Sequence, residues 1–374
     1  MMHQVLLLCE YPTLNGGERS MLATLDGVRA AGFSPVVMGP PAGPLPEKLA
    51  DRGIEHLSFS CHTADGSRLP QNRLREALAE VLCRRRPALL HANSLAMGRL
   101  SGPVAAHYQL PSIAHLRDII KLSAQVMADL SCHGRLLAVS HATRRFHVAS
   151  GVAAEKIHVV HNGVDFETFR PRPTTGYLHH ELGLPAEARL VGTIGQISLR
   201  KGQDVLLRAA ARLADLSPEV HYVIVGERHS EKDESQSFEK NLRGVLCEPL
   251  AGRVHFLGRR DDVDRLLNEL TLLVHPARQE PLGRVLLESA AAGLAVVATD
   301  VGGTPEIFPP ELTAARLVAP DDIVGFATAM NELLGNQSLR RRLAAAARCH
   351  VEQQFDIRQA TDNLLQHYRS TMMM

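Results

Sequence analysis

Short apolar runs alternate with longer amphipathic stretches along most of the chain. Each run has the length of a buried strand, and the stretch that follows it carries apolar residues at helical spacing. This alternation is typical of a mostly parallel sheet covered by helices on both faces, so the sequence predicts an α/β protein. The predicted strands are 4–9, 35–38, 88–92, 112–115, 136–140, 157–161, 190–194, 220–226 and 254–258.

The length of 374 residues predicts two domains. A first domain is expected at 1–172, and a linker at 173–188, where the chain is rich in proline, glycine and histidine. A second domain follows at 189–352. The segment 353–374 then forms a final amphipathic helix.

The net charge and the placement of the cysteines disfavour some classes of partner and site. A net charge of +1 gives no electrostatic case for nucleic acid as a partner. The six cysteines are scattered without a C-x-x-C motif, so neither a zinc site nor a disulfide framework is indicated. No signal peptide and no stretch of membrane-spanning length is apparent, and the expected location is the cytoplasm.

One stretch, 276–306, predicts a loop, a short helix, a turn, a buried strand around Val296-Val297 and a second loop. Glu280 and Glu288 stand on either side of a predicted helix start, with Pro281 placed in its first turn and Gly293 just past its end. The two carboxylates would lie on the order of 10 Å apart along the helix axis. The helix N-terminus between them favours an anion. A nucleotide sugar, with hydroxyl groups at each end and phosphate between, fits this arrangement.

The same residues carry a family resemblance. The E-x7-E spacing with Pro281-Leu282-Gly283, followed by Gly302-Gly303-Thr304-Pro305-Glu306, resembles the signature of the family 4 (group 1) glycosyltransferases. These are retaining, metal-independent enzymes of the GT-B fold, in which two Rossmann-like, doubly wound domains face each other across a cleft. Two glutamates on an amphipathic helix are more commonly a solvated face, and only the flanking motifs favour a site.

The resemblance assigns roles on the donor side. Glu280 would hold the donor sugar and Glu288 the ribose, while Lys201, with Gly202, would bind the diphosphate. The family has an arginine where this chain has Gln196, and Arg200 is the candidate replacement for the lost charge. The backbone N–H groups expected to meet the donor belong to Leu282, Gly283, Arg284 and Val285.

The acceptor side offers fewer signals. Gly16 and Gly17 lie in the loop 10–19, between the first strand and a helix predicted from Ser20 to about Ala31. The resemblance places them near the donor phosphates and acceptor. His115 ends a predicted strand and resembles the family's histidine beside the reacting sugar, while His91 ends the preceding strand. A histidine at a strand end is also commonly a packed, hydrogen-bonded residue, and both interpretations stay open. By the resemblance, the final helix returns to the first domain.

No metal site is predicted. Asp262-Val263-Asp264 matches a D-x-D motif but opens a predicted helix, where acids cap the backbone and complement the dipole. His179-His180 lacks a carboxylate or cysteine at ligand spacing and is interpreted as solvated linker.

The sequence thus predicts a retaining, metal-independent glycosyltransferase without a bound cofactor. Its partners would be a UDP- or GDP-linked sugar and an unidentified glycan, lipid-linked or small-molecule acceptor. Peripheral contact with the inner membrane face through the first domain is left open. The alternatives are a nucleotide-sugar epimerase on the same fold and a non-catalytic sugar-binding module. Glu280, Lys201 and His115 are the predicted catalytic residues.

Overall fold

A computed structural model describes residues 3–63, 66–244 and 250–374. The chain divides into two compact units. The first contains the residues up to Gly163 together with Ile357–Met374, and the second is Val164–Asp356. The boundary therefore precedes the predicted linker at 173–188, because those residues, with a short helix at Tyr177–Leu182, belong to the second unit.

Each unit is built on a parallel sheet. In the first unit the strand order is β3-β2-β1-β4-β5-β6-β7, and in the second it is β10-β9-β8-β11-β12-β13. The strands are β1 His3–Leu8, β2 Phe33–Gly39, β3 Glu55–Ser58, β4 Leu89–Ala92, β5 Ser112–Leu116, β6 Arg135–Ala138, β7 Ile157–Val159, β8 Arg189–Ile194, β9 Val220–Val225, β10 Val254–Gly258, β11 Leu272–His275, β12 Val296–Thr299 and β13 Arg316–Val318.

Helices connect successive strands, as the alternating pattern predicts. They are α1 Gly16–Ala30, α2 Pro44–Asp51, α3 Gln71–Arg85, α4 Leu95–His107, α5 Ala124–Ser131, α6 His141–Ala149, α7 Tyr177–Leu182, α8 Gln203–Ala211, α9 Asp233–Arg243, α10 Val263–Glu269, α11 Arg284–Ala291, α12 Thr304–Ile307, α13 Ile323–Gly335, α14 Gln337–Gln354 and α15 Ile357–Met372. Among the described residues, no helix is long and apolar enough to cross a membrane.

The first sheet is buried on both faces. Successive side chains of a strand point to opposite faces, and Val5 and Leu7 accordingly join one hydrophobic cluster while Leu6 and Leu8 join another. This explains why the strand reads as a continuous apolar run. The two-domain α/β prediction is confirmed.

The strand order reverses once in each sheet. The neighbours at the reversal are β1 and β4 in the first unit, and β8 and β11 in the second. The connections then leave the sheet on opposite sides and open a crevice at the carboxyl ends of these strands, which is where doubly wound folds bind ligands.

The final helix α15 packs against α1 of the first unit. A side-chain carbon at Gly27 would lie only 2.7 Å from Thr361 Cγ2, so glycine allows the two helices to approach closely. Tyr368 is fully buried, with its ring edge-on to Phe33 at 5.6 Å. The polar end of this tyrosine reaches the first unit's reversal point, as described below.

One predicted helix start is wrong, and three strands are missing from the prediction. Helix α1 starts at Gly16 rather than at Ser20, so Gly16 and Gly17 lie in its first turn and not in the preceding loop. Strands β3, β11 and β13 were not predicted, because they have only four, four and three residues and give little periodic signal.

Candidate active site

In the second unit, the loops after β8 and β11 contact each other at the point where the strand order reverses. Gly202 has a φ of 68°, and a side chain there would overlap the carbonyl oxygen of Pro276. The N–H of Arg278 donates to the carbonyl of Arg200 at 2.8 Å. Glycine is therefore required for the close approach that brings Lys201 beside the second loop.

Three side chains meet between these loops. Lys201 Nζ lies 2.5 Å from Glu280 Oε2, and His275 Nε2 lies 2.7 Å from the same oxygen. The side-chain exposures of Lys201, Glu280 and His275 are 14%, 7% and 3%. The predicted sugar ligand Glu280 and the predicted phosphate ligand Lys201 are thus paired with each other in the ligand-free protein.

The pKa values of this cluster follow from burial and charge. Burial opposes ionisation of Glu280, but the Lys201 ammonium and the His275 hydrogen bond outweigh it and hold the pKa of Glu280 well below its usual range. Burial lowers the pKa of His275, against the opposing effect of its bond to Glu280. Glu280 is therefore ionised and His275 is neutral near pH 7, with Nε2–H donating to the carboxylate.

Glu288, the second acid of the E-x7-E pair, forms an ion pair with Arg284, which lies one helix turn before it. Arg284 Nε is 2.7 Å from Glu288 Oε1, and Glu288 is buried. The helix α11 begins at Arg284, so the prediction that Pro281 lies in its first turn is wrong. Gly283, with a φ of 103°, interrupts the helical path between Pro281 and Arg284. Gly293, at φ 71°, does lie just past the helix end, as predicted.

The second glycine loop is fixed to the first glutamate. The N–H of Gly303 donates to the carbonyl of Glu280 at 3.0 Å, and α12 begins at the next residue. The predicted loop, helix, turn and strand are found across 276–299, but the predicted second loop contains helix α12 from Thr304. The parts of this stretch therefore form one local structure around the Glu280 backbone.

The loop after β8 holds the remaining predicted donor residues. The Gln196 carbonyl accepts a hydrogen bond from Gln203 Nε2 at 2.9 Å, and Arg200 Nη1 approaches the carbonyl of Gln279 at 3.4 Å. Arg200 is thus next to the residue that precedes Glu280. Arg278 clamps this region through two bonds to Asp204, at 2.8 and 2.7 Å.

In the first unit, a polar network lies at the carboxyl ends of β4 and β5. His91 Nε2 is 2.7 Å from His115 Nδ1, and Arg117 Nη2 is 3.2 Å from the same nitrogen. Arg117 also donates to Asn93, whose amide donates to the carbonyl of Gly17 at 3.2 Å. The structure therefore connects Gly17 with His115 through Asn93 and Arg117.

Two family patterns match the chain. "Glycosyl transferases group 1" matches residues 178–350, and "Glycosyltransferase Family 4" matches residues 14–168. The chain belongs to the group 1 glycosyltransferases. The predicted family is confirmed.

Curated relatives share part of their length with this chain. A D-inositol 3-phosphate glycosyltransferase of Mycobacterium ulcerans is 33% identical over 217 residues, which is 57% of this chain and 45% of that protein. Spore coat protein SA of Bacillus subtilis is 28% identical over 225 residues, covering 58% and 59%. The chain thus aligns with about half the length of these relatives.

Solved structures resemble the chain over nearly its whole length. Anabaena HepE, crystallised with UDP and glucose, has a TM-score of 0.87 at 23% identity and covers 98% of this chain and 100% of its own. Sucrose-phosphate synthase of Thermosynechococcus elongatus has a TM-score of 0.80 at 19% identity, covering 98% of each chain. The two parallel-sheet units are those of the GT-B fold.

The D-x-D segment opens α10 with Asp264 in the first turn, as predicted, but the predicted capping role of Asp262 is wrong. Asp262 precedes α10, but its side chain makes no capping hydrogen bond. Its carboxylate instead binds Arg260 at 2.8 and 2.9 Å, while Asp264 binds Arg172 at 2.8 Å. Arg260 competes successfully for Asp262, because a two-point ion pair is stronger than a single backbone bond. His179 is likewise bound, to the carbonyl of Ala188 at 2.8 Å.

Several residues at the two reversal points were missed by sequence reasoning. His275 could have been found, because it ends the apolar run 272–274 directly before a proline. Asn93 also follows directly after a strand. Tyr368 could not have been found, because its partner His91 is 277 positions away in sequence.

Proposed function

We propose that this glycosyltransferase moves a sugar from a UDP- or GDP-linked donor to an acceptor, with retention of anomeric configuration and without a metal. The observation that carries the proposal is the cluster of Lys201, Glu280 and His275 at the reversal point of the second sheet. A largely buried cation and a buried carboxylate there match the two charges of the donor that change most during transfer.

The cluster suggests how the donor is accepted. In the ligand-free protein the Lys201 ammonium is neutralised by Glu280. An incoming diphosphate offers the ammonium a second anion, so Lys201 exchanges part of its bond to Glu280 for a phosphate oxygen. The Glu280 carboxylate, still held by His275, then accepts hydrogen bonds from sugar hydroxyls.

The charge development of the reaction follows from this exchange. As the glycosidic bond breaks, the sugar becomes oxocarbenium-like and the diphosphate gains negative charge. Lys201 stabilises the departing diphosphate more strongly than the intact donor, and the N–H groups at the start of α11 assist it. The ionised Glu280 stabilises the positive sugar. The departing phosphate oxygen takes the acceptor proton, so the acceptor attacks from the same face and the anomeric configuration is retained.

The likeness to other proteins supports the donor class. Anabaena HepE was crystallised with UDP-glucose, and one curated relative is a lipopolysaccharide core glycosyltransferase of Rhizobium meliloti, 35% identical over 186 residues. From these two proteins we infer that the donor is a nucleotide sugar and that the acceptor is a glycan, a lipid-linked molecule or a small hydroxylated molecule. Cytoplasmic location, with peripheral contact at the inner membrane face, is part of the same proposal.

A thermal-shift screen followed by product analysis tests the proposal. UDP, GDP, ADP and their sugars are each added to the protein, since a ligand of the native state raises its melting temperature. We expect one base to raise it in the wild type and in the exposed-surface control Glu311→Ala, and to raise it less in Glu288→Ala. No response to any nucleotide would contradict the proposal.

Incubation of the selected nucleotide sugar with candidate acceptors then decides the reaction. We expect an acceptor-bound sugar with the anomeric configuration of the donor, measured by proton NMR of the product. An inverted product would refute retention. Release of a free epimer in the absence of acceptor would favour the epimerase alternative.

A further inference from the structure

A chain of four polar side chains crosses the first unit from the final helix to the site. The hydroxyl of Tyr368 lies 2.7 Å from His91 Nδ1, His91 Nε2 lies 2.7 Å from His115 Nδ1, and Arg117 Nη2 lies 3.2 Å from that same nitrogen. Tyr368, His91 and His115 are at most 4% exposed. Buried polar groups need a donor for every acceptor, so the hydrogen positions can be counted.

The count starts from Arg117. A guanidinium only donates, so Arg117 favours an unprotonated His115 Nδ1, but at 3.2 Å this contact is longer than the 2.7 Å bond from His91 and does not fix the proton alone. With Nδ1 unprotonated, His91 Nε2 carries the proton of the bond between the two rings. Both rings are neutral near pH 7, since burial and the Arg117 guanidinium lower the pKa of His115 and bring that of His91 to about 3. A neutral ring has one N–H, so His91 Nδ1 accepts and the Tyr368 hydroxyl donates.

Tyr368 supports the same direction independently. If the chain ran the other way, His91 Nδ1–H would donate to the tyrosine oxygen and the phenolic hydrogen would need another acceptor. Within the described residues, the structure provides no second partner for this hydroxyl. A buried hydroxyl hydrogen without an acceptor is costly, so the reversed chain is disfavoured.

The consequence falls on His115. With Nδ1 unprotonated, its single proton lies on Nε2, and this nitrogen has no hydrogen-bond partner among the described residues of its unit. His115 also lines a small cavity with His91, Arg117 and Asn162. The ring therefore offers a donor, and not an acceptor, to a group that enters from this side.

We propose that Tyr368 and His91 are positioning residues that fix His115 as the Nε2–H tautomer, so that the final helix sets the hydrogen-bond polarity of the first unit's site. The consequence for turnover rests on the proposed function, in which His115 meets the reacting molecules. The assignment of the His115 tautomer does not depend on the proposed function. The ligand class that this polarity selects is one with an acceptor oxygen, such as a sugar hydroxyl or a phosphate.

Tyr368→Phe is the decisive variant, because it removes the hydroxyl and keeps the ring that packs on Phe33. Tyr108→Phe makes the same change at an exposed position of the same unit and is the matched control. Long-range nitrogen–proton NMR of histidine-labelled protein reports which ring nitrogen is protonated, with His115 assigned by its loss in His115→Asn. We expect an unprotonated Nδ1 in the wild type and in Tyr108→Phe, and a partly protonated Nδ1 in Tyr368→Phe.

A double-variant cycle separates positioning from packing. In a His91→Leu background the chain is interrupted, so adding Tyr368→Phe should leave the His115 nitrogens unchanged. A further shift in this background would show that Tyr368 acts through packing of α15 and would overturn the proposal. A protonated Nδ1 in the wild type, or an unchanged spectrum in Tyr368→Phe, would also overturn it.

Kinetics test the link to function separately. Once a donor and acceptor are identified, Tyr368→Phe should lower kcat about tenfold and leave the donor KM nearly unchanged. A shifted tautomer with unchanged kcat would overturn the functional half of the proposal. If no transferase activity exists, the proposed function fails, and the NMR result still decides the assignment of the tautomer.

Discussion

The two units have different polar side chains at the same place in their sheets, the point where the strand order reverses. At the reversal of the second sheet, a buried ammonium and a buried carboxylate form an ion pair with a histidine beside it. Near the reversal of the first sheet, two neutral imidazoles and a tyrosine form a chain of hydrogen bonds that ends on one guanidinium. The charged groups of the second unit can exchange partners with a ligand. The hydrogen bonds of the first unit fix which atoms donate protons.

This difference indicates a division of labour. An ion pair can accept a charged ligand by exchanging partners, at the cost of a strong coupling between its two members. The neutral rings of the first unit add no charge of their own, but their hydrogen bonds fix which atom donates and which accepts. The first unit is therefore suited to orient a hydroxyl-bearing molecule, and the second to bind and release a diphosphate.

The largest expected effect concerns stability of the second unit. Lys201→Met leaves Glu280 buried without its ammonium and should destabilise the unit by about 3–5 kcal/mol. Native-state hydrogen exchange of the β8 and β11 amides measures this loss. The double variant Lys201→Met/Glu280→Gln should recover most of it, and the exposed control Lys232→Met should change little. A loss below about 1 kcal/mol would mean that the pair is not coupled.

The next effect is on catalysis in the same region. Lys201→Met should lower kcat/KM by about 2–4 kcal/mol, because the ammonium stabilises charge that grows as the diphosphate leaves. Steady-state rates at saturating acceptor measure it. A change of about threefold or less would refute the role given to Lys201.

A smaller effect distinguishes the first unit by its response to acid. The pKa of His91 is about 3, against 6.5 when exposed, so the unfolded chain binds the proton in this window. The stability that neutral His91 contributes is full above pH 6.5 and is lost as pH falls towards 3. Between pH 6.5 and 5, the wild type should lose about 2 kcal/mol more than His91→Gln, measured by exchange of the β4 amides. Equal losses would contradict the buried, neutral state.

The corresponding acid response of Glu280 has the same sign at lower pH. Its pKa lies well below the ordinary 4.5, so its contribution to stability is full above pH 4.5 and is lost only as pH falls further. The two regions should therefore differ in the pH at which these contributions begin to fail.

The smallest expected effect is that of a chelator. The Asp262 and Asp264 carboxylates are bound to arginines, and the proposed charge on the diphosphate is met by Lys201. EDTA should therefore leave turnover unchanged. Loss of activity with EDTA that returns on addition of Mg²⁺ or Mn²⁺ would contradict this.

The two regions were also unequally predictable from sequence. The second unit's site lies on loops with glycine and proline at fixed spacing, so Lys201, Glu280 and Glu288 could be named as residues of one site. What the sequence left open was that Lys201 and Glu280 pair directly, because this depends on the approach of two loops at Gly202. In the first unit, His115 was named, but its partners come from a neighbouring strand and from the final helix. Such long-range contacts leave no local pattern.

The central claim is that the second unit binds the donor with Glu288 at the nucleoside and Glu280 at the sugar. Calorimetric titration of the nucleoside diphosphate selected by the thermal screen, with initial rates measured beside it, tests this in Glu280→Ala, Glu288→Ala and the control Glu311→Ala. We expect Glu288→Ala to weaken diphosphate binding, and Glu280→Ala to keep or strengthen that affinity, because Lys201 loses its competing anion, while turnover is suppressed. If Glu280→Ala loses the nucleotide and Glu288→Ala keeps it, the placement of the donor is reversed. If neither variant changes binding or rate, these two glutamates are not the donor site.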